Sequence, residues 1–162
     1  MATRPSSSFN RVPTPLYYAA SFGLTEVAQL LLDSGADVNA QSGPAGCSLA
    51  AASLAGHVET VQLLLDRGAD IEAPAGLLGG NALLLATTNG HREVVRLLLE
   101  RGANVNAEGA SDDDDGATAL QEAAYRGDRE IVRSCCSTRV LIGMPVGDDM
   151  ALHCGRLQRE GI

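Results

Sequence analysis

One glycine recurs along this chain at a near-constant interval, and that recurrence limits the possible folds more than any other feature. Gly23 to Gly56 is 33 residues, Gly56 to Gly90 is 34, and Gly90 to Gly127 is 37. The flanking segments match: LYYAASFGLTEVAQLLLDSGADVN over 16–39, LAAASLAGHVETVQLLLDRGADIE over 49–72, LLLATTNGHREVVRLLLERGANVN over 83–106 and LQEAAYRGDREIVR over 120–133. Self-similarity at this period is the mark of a linear array of small units, each too thin to bury its own apolar side. The inserted residues fall between a GAD(V/I) or GANV element and the next Leu-x-x-Ala, so that segment is a loop.

Each unit is predicted to hold two short helices. The first covers Leu16–Phe22, Leu49–Ala55, Leu83–Asn89 and Leu120–Arg126, with alanine at its closest-packed positions. The recurring glycine then breaks the chain at positive φ. A second helix begins near Thr25, Val58, Arg92 and Arg129 and ends at Gly35, Gly68 and Gly102. Val27, Leu30 and Leu31, then Val61, Leu64 and Leu65, then Val95, Leu98 and Leu99 are assigned to its buried face by helical spacing. The leucine triplets 30–32, 63–65 and 97–99 exceed one face, so neighbouring units must share them.

Composition agrees. Hydrophobic residues are 45% of the 162 but aromatic ones only 3%, with no Trp, so the core is built from Leu, Val and Ala. Twenty acids face 12 arginines and no lysine, for a net charge of −8. Phosphate backbones repel such a chain, which argues against nucleic acid as a partner. No apolar run reaches bilayer length, so no membrane partner is expected. Cys47, Cys135, Cys136 and Cys154 form no CxxC pair or disulfide framework. The expected setting is intracellular and reducing, cytoplasmic or nuclear.

These residues resemble the ankyrin repeat, whose unit reads TPLHxAAxxGH, then a second helix, then GADVN. Thr14-Pro15-Leu16 with Ala19-Ala20 and Gly23 opens the first unit, Gly56-His57 and Gly90-His91 mark the middle pair, and 35–39 and 102–106 supply GADVN and GANVN. The resemblance implies an all-α, helix-turn-helix repeat solenoid. The expected organisation is a flexible leader over 1–13, a solenoid over 14–137 and an irregular tail over 138–162. Repeats are placed at about 14–46, 47–80, 81–117 and an incomplete 118–137. The tail holds a degraded or truncated fifth unit around 147–153. The TPLH histidine is replaced by Tyr17, Ala50, Leu84 and Gln121, and its Thr by Cys47 and Asn81 in units two and three. Each lost bond of that kind costs about 0.5–1.5 kcal/mol, so a looser stack is expected.

The chemistry-bearing residues do not assemble into an active site. His57 and His91 follow equivalent glycines and are repeat features. Adjacent Cys135-Cys136 and His153-Cys154 lack the loop spacing of a zinc site, and Gly76–Gly80 lacks a phosphate-binding signature. Asp112–Asp115 lacks the alternating ligands of a calcium loop. No catalytic residue, cofactor or metal is expected, and the chain is not read as an enzyme. The resemblance implies instead a protein-binding adaptor or inhibitor, monomeric, using loop tips and the concave helix face. By position this gives Tyr17, Ser21, Phe22, Leu54, Thr88, Asn89, Tyr125 and Arg126, with Leu77, Leu78 and Asp112, Asp113, Asp114, Asp115 at the tips. Two alternatives stand beside it: Tyr17, Tyr18 and Phe22 shield the end of the stack, or the whole chain is a structural spacer or fragment of a longer array.

Overall fold

The computed structural model describes residues 12–107, 109 and 118–141, with side chains described through 138. Asp112–Asp115, most of the leader and the proposed fifth unit lie outside the described residues.

Every first helix starts at the same device. Thr14, Cys47, Asn81 and Thr118 sit just before it in extended backbone, and each side chain accepts a hydrogen bond from the amide three residues on: Tyr17, Ala50, Leu84 and Gln121. Such caps satisfy an amide that the helix leaves unpaired. The cysteine and asparagine that depart from the repeat pattern therefore keep the cap, through Cys47 Sγ at 3.4 Å and Asn81 Oδ1 at 3.0 Å. Thr118 and Gln121 also bond reciprocally.

The helices that follow are α1 (Pro15–Ser21), α2 (Thr25–Asp33), α3 (Ser48–Ala55), α4 (Val58–Asp66), α5 (Ala82–Thr88), α6 (Arg92–Glu100), α7 (Ala119–Arg126) and α8 (Arg129–Leu141). Among the described residues there is no strand beyond a single bridge position at Thr118. α8 continues through Cys135 and Cys136, both buried, and runs to Leu141, past the expected limit of the fourth unit at 137. Within a unit the two helices pack together, while α1, α3, α5 and α7 form one layer and α2, α4, α6 and α8 the other. Ala19, Ala20, Ala51, Ala52, Ala86 and Ala123 are all buried in the first layer. Their small side chains suit close packing of α1 on α3 and of α3 on α5.

The face assigned to α2 needs correction. Val27 and Leu30 are exposed, at 44% and 66%, and Ala28 is the buried residue. In register, Val27 matches Thr60, Val94 and Ile131, all buried, and Thr60 bonds Thr25 of the unit before it.

Other hydrogen bonds stand where the TPLH histidine is missing. Within unit one the Tyr17 hydroxyl accepts from Ala45 N at 3.2 Å and Thr14 bonds Ser42 at 3.1 Å, tying the first helix to the loop that closes the unit. Asn39 uses both ends of its amide on the next unit, donating to Gly68 O and accepting from Asp70 N. Glu72 stands in the same place one unit later, accepting from Asn104 N at 2.7 Å and from Asn81 Nδ2 at 2.9 Å. The expected looseness is thus offset by contacts that the repeat pattern does not show.

A second set runs through the histidines. His57 Nε2 lies 3.2 Å from Ser21 O and His91 Nε2 lies 3.0 Å from Leu54 O. A carbonyl can only accept, so each ring carries its proton on Nε2. At the last junction Asp128 takes the histidine's place and pairs with Arg92 at 3.0 Å, beside Glu130 at 2.9 Å. Asp128 Oδ1 also caps α8, accepting from Glu130 N and Ile131 N. Partial burial pushes the Asp128 carboxyl up, but the bond from Arg92 and the two amides outweigh it, and its pKa lies below the ordinary value. Asp128→Ala is expected to destabilise the protein by about 1–2 kcal/mol at neutral pH, mainly through the lost cap. Because the folded pKa is lowered, this contribution is full above the unfolded carboxyl's value near about 4 and fades as pH falls through the folded one. Urea unfolding of both proteins at neutral pH and near pH 2 checks it; the gap should close in acid.

Candidate partner-binding surface

The loops between units rest on one another. Leu77 N donates to Pro44 O, Ala75 N to Gly80 O and Ser42 N to Gly46 O. Gly46 and Gly76 meet backbone to backbone: a Cβ on Gly46 would fall 2.5 Å from Gly76 N. This contact ties the loop of 74–80 to that of 42–46 and forces the short turn Gly76–Leu78 outward. Leu77 and Leu78 are consequently exposed, at 65% and 48%.

The first-helix layer presents a second strip, at the two residues before each recurring glycine. Phe22 is 69% exposed and Tyr125 is 90% exposed. Between them along the stack lie Leu54 and Thr88, both half-buried, and Asn89, exposed, whose Nδ2 donates to Leu85 O. Ser21 is half-buried with its hydroxyl on Tyr17 O at 2.9 Å. Arg126 is exposed and holds Glu122 at 2.7 Å.

Tyr17 does not belong to this strip. It is only 7% exposed, its ring packs over Gly43, and its hydroxyl serves Ala45. Its neighbour Tyr18 turns outward, 49% exposed, with the two rings edge to face. The exposed residues that sequence reasoning missed are Leu24, Val27 and Leu30, at 49%, 44% and 66%. At Leu24 the signal was a departure from the repeat, because the matching positions hold His57, His91 and Asp128.

Burial holds the thiols of Cys47 and Cys135 protonated. Burial pushes the Cys135 thiol up to about 12. Burial also raises Cys47, against the amides of Ala50 and Leu49, with Asp70 adding to the rise. Since the thiolate is the reactive form, both are poor nucleophiles. Among the described residues, no three His, Cys, Asp or Glu side chains converge as metal ligands. No described helix is long and apolar enough to cross a membrane.

Four stacked helix pairs, each capped and turned in the same way, define a helix-turn-helix repeat solenoid. Comparison with protein families agrees with that geometry. Residues 48–139 match the family model described as ankyrin repeats (3 copies), and residues 14–43 match the ankyrin repeat model. The chain belongs to the ankyrin repeat family, whose members are generally protein–protein interaction modules and typically non-catalytic. A search of curated proteins found no match.

Proposed function

We propose that this chain is a non-catalytic adaptor or inhibitor scaffold that holds another protein along its concave edge. The observation that carries this reading is the exposure of Phe22, Tyr125, Leu77 and Leu78 in a stack that buries most of its other large apolar side chains. Aromatic residues on a rigid scaffold combine large contact area with a small ordering cost. Leu77 and Leu78 are held out by backbone bonds, so little freedom is lost when a partner covers them. The four successive carboxylates Asp112–Asp115 in the sequence would add attraction for a basic partner.

Comparative affinity capture tests the reading. Wild type, Tyr125→Ala and the pair Leu77→Ser/Leu78→Ser are immobilised at equal density and their bound proteins quantified by mass spectrometry. A partner retained by wild type is expected to weaken about tenfold or more with each variant, the ordinary cost of truncating an interface anchor. Equal retention by all three would remove this edge as the binding surface and favour a spacer role.

A further inference from the structure

Cys136 is disulfide-bonded, while Cys47 and Cys135 are free. The sequence holds four cysteines, so within one chain Cys154 is the partner that remains. The spacing of the cysteines displays no disulfide framework, and the bond at Cys136 departs from that expectation.

The place of Cys136 in the stack gives the bond a role. Leu99 lines the groove between α6 and α8, so it lies on the side of α6 turned toward the next unit. Counted from the recurring glycine, Cys136 is the match of Leu99 in α8. Leu99 is 6% exposed with unit four packed after it; Cys136 is 7% exposed, although α8 is the last described helix. Equal burial calls for a comparable cover, and the chain that continues from α8 is within reach. Its residues 142–162, outside those described, mix apolar Ile142, Met144, Val146 and Leu152 with charged Asp148, Asp149, Arg156 and Arg159. A terminal element needs both, one side for the stack and one for water. We propose that residues 142–162 close this end of the stack and are fastened there by a Cys136–Cys154 disulfide that forms and opens with the surrounding redox state.

The chemistry is thiol–disulfide exchange with a low-molecular-weight disulfide such as oxidised glutathione. One protein thiolate attacks the reagent, forming a mixed disulfide and releasing one glutathione thiolate. The second protein thiolate displaces the other. The protein loses two electrons and two protons, and the reagent takes both up as two thiols. Adjacent Cys135 does not compete, because it matches buried Leu98, is fully enclosed and keeps its proton. The bond leaves Leu77, Leu78 and Tyr125 untouched, so it does not depend on the edge proposed above for partner binding.

The full chain, equilibrated with reduced or oxidised glutathione, is read by intact-mass spectrometry. Oxidation should remove two hydrogens from wild type and from Cys135→Ser, each remaining a single chain. Cys136→Ser and Cys154→Ser should not show that loss. Reducing wild type should lower its thermal unfolding midpoint by about 5 °C or more, since the opened chain gains freedom when unfolded. Hydrogen-exchange protection over 132–138 should fall with it. These wild-type readings keep the test decisive if a serine variant fails to fold. A wild type that loses no hydrogens overturns the proposal, as does a covalent dimer or a bond that survives Cys136→Ser. A midpoint and protection indifferent to reduction also overturn it, because the tail is then not fastened by the bond.

Discussion

Replacing Leu98 by alanine is expected to lower the unfolding free energy by about 2–5 kcal/mol, while Leu30→Ala costs less than about 0.5 kcal/mol. Both residues come from a leucine triplet and are chemically identical in sequence. Leu98 is fully buried in α6, which packs against α4, α5 and α8, so truncation removes contacts on three sides and leaves a cavity. Leu30 is 66% exposed in α2. Because units contact only their neighbours, loss at unit three also weakens the hold on unit four. Urea unfolding followed by circular dichroism should show a lower midpoint for Leu98→Ala, and a shallower slope if unit four melts separately. Equal midpoints for the two variants would mean that the leucines share burial evenly, contrary to the stacking described.

Gly56→Ala is expected to cost about 2–3 kcal/mol, more than Gly68→Ala at about 1–2 kcal/mol. Both glycines hold positive φ, 81° and 83°, where a Cβ is strained by its own backbone. They differ in their surroundings. A Cβ on Gly56 would lie 2.5 Å from the His91 ring, whereas one on Gly68 would meet nothing within 4 Å. The alanine at 56 must therefore push His91 away and break its bond to Leu54 O. A double-mutant cycle with His91→Ala separates the two costs. In the His91→Ala background the penalty at 56 should fall to that at 68, and a penalty that stays unchanged would show that the ring can step aside freely.

The recurring glycine, the alanines and the leucine triplets were legible because they obey a local rule repeated along the chain. Helix starts at Thr25, Val58, Arg92 and Arg129 fall where the spacing places them. Other features were not legible for equally physical reasons. Tyr17 reads as a surface aromatic by position, but a hydroxyl that reaches Ala45 N gives it a buried place. Asn39 and Glu72 do one job with different side chains, since each needs only an acceptor oxygen facing the next unit's turn. Leu77 and Leu78 are exposed beside the close approach of Gly46 and Gly76, a contact between two loops far apart in sequence that the repeat pattern does not display.

Period and composition alone determined that this chain is a stack of helix pairs, because helix-forming and chain-breaking preferences act over a few residues. Which apolar residues are covered is a different kind of question. Val27 and Thr60 occupy the same register, yet the valine faces solvent and the threonine is enclosed. Only the presence or absence of a neighbouring unit in space separates them, and that was decided by the tertiary structure.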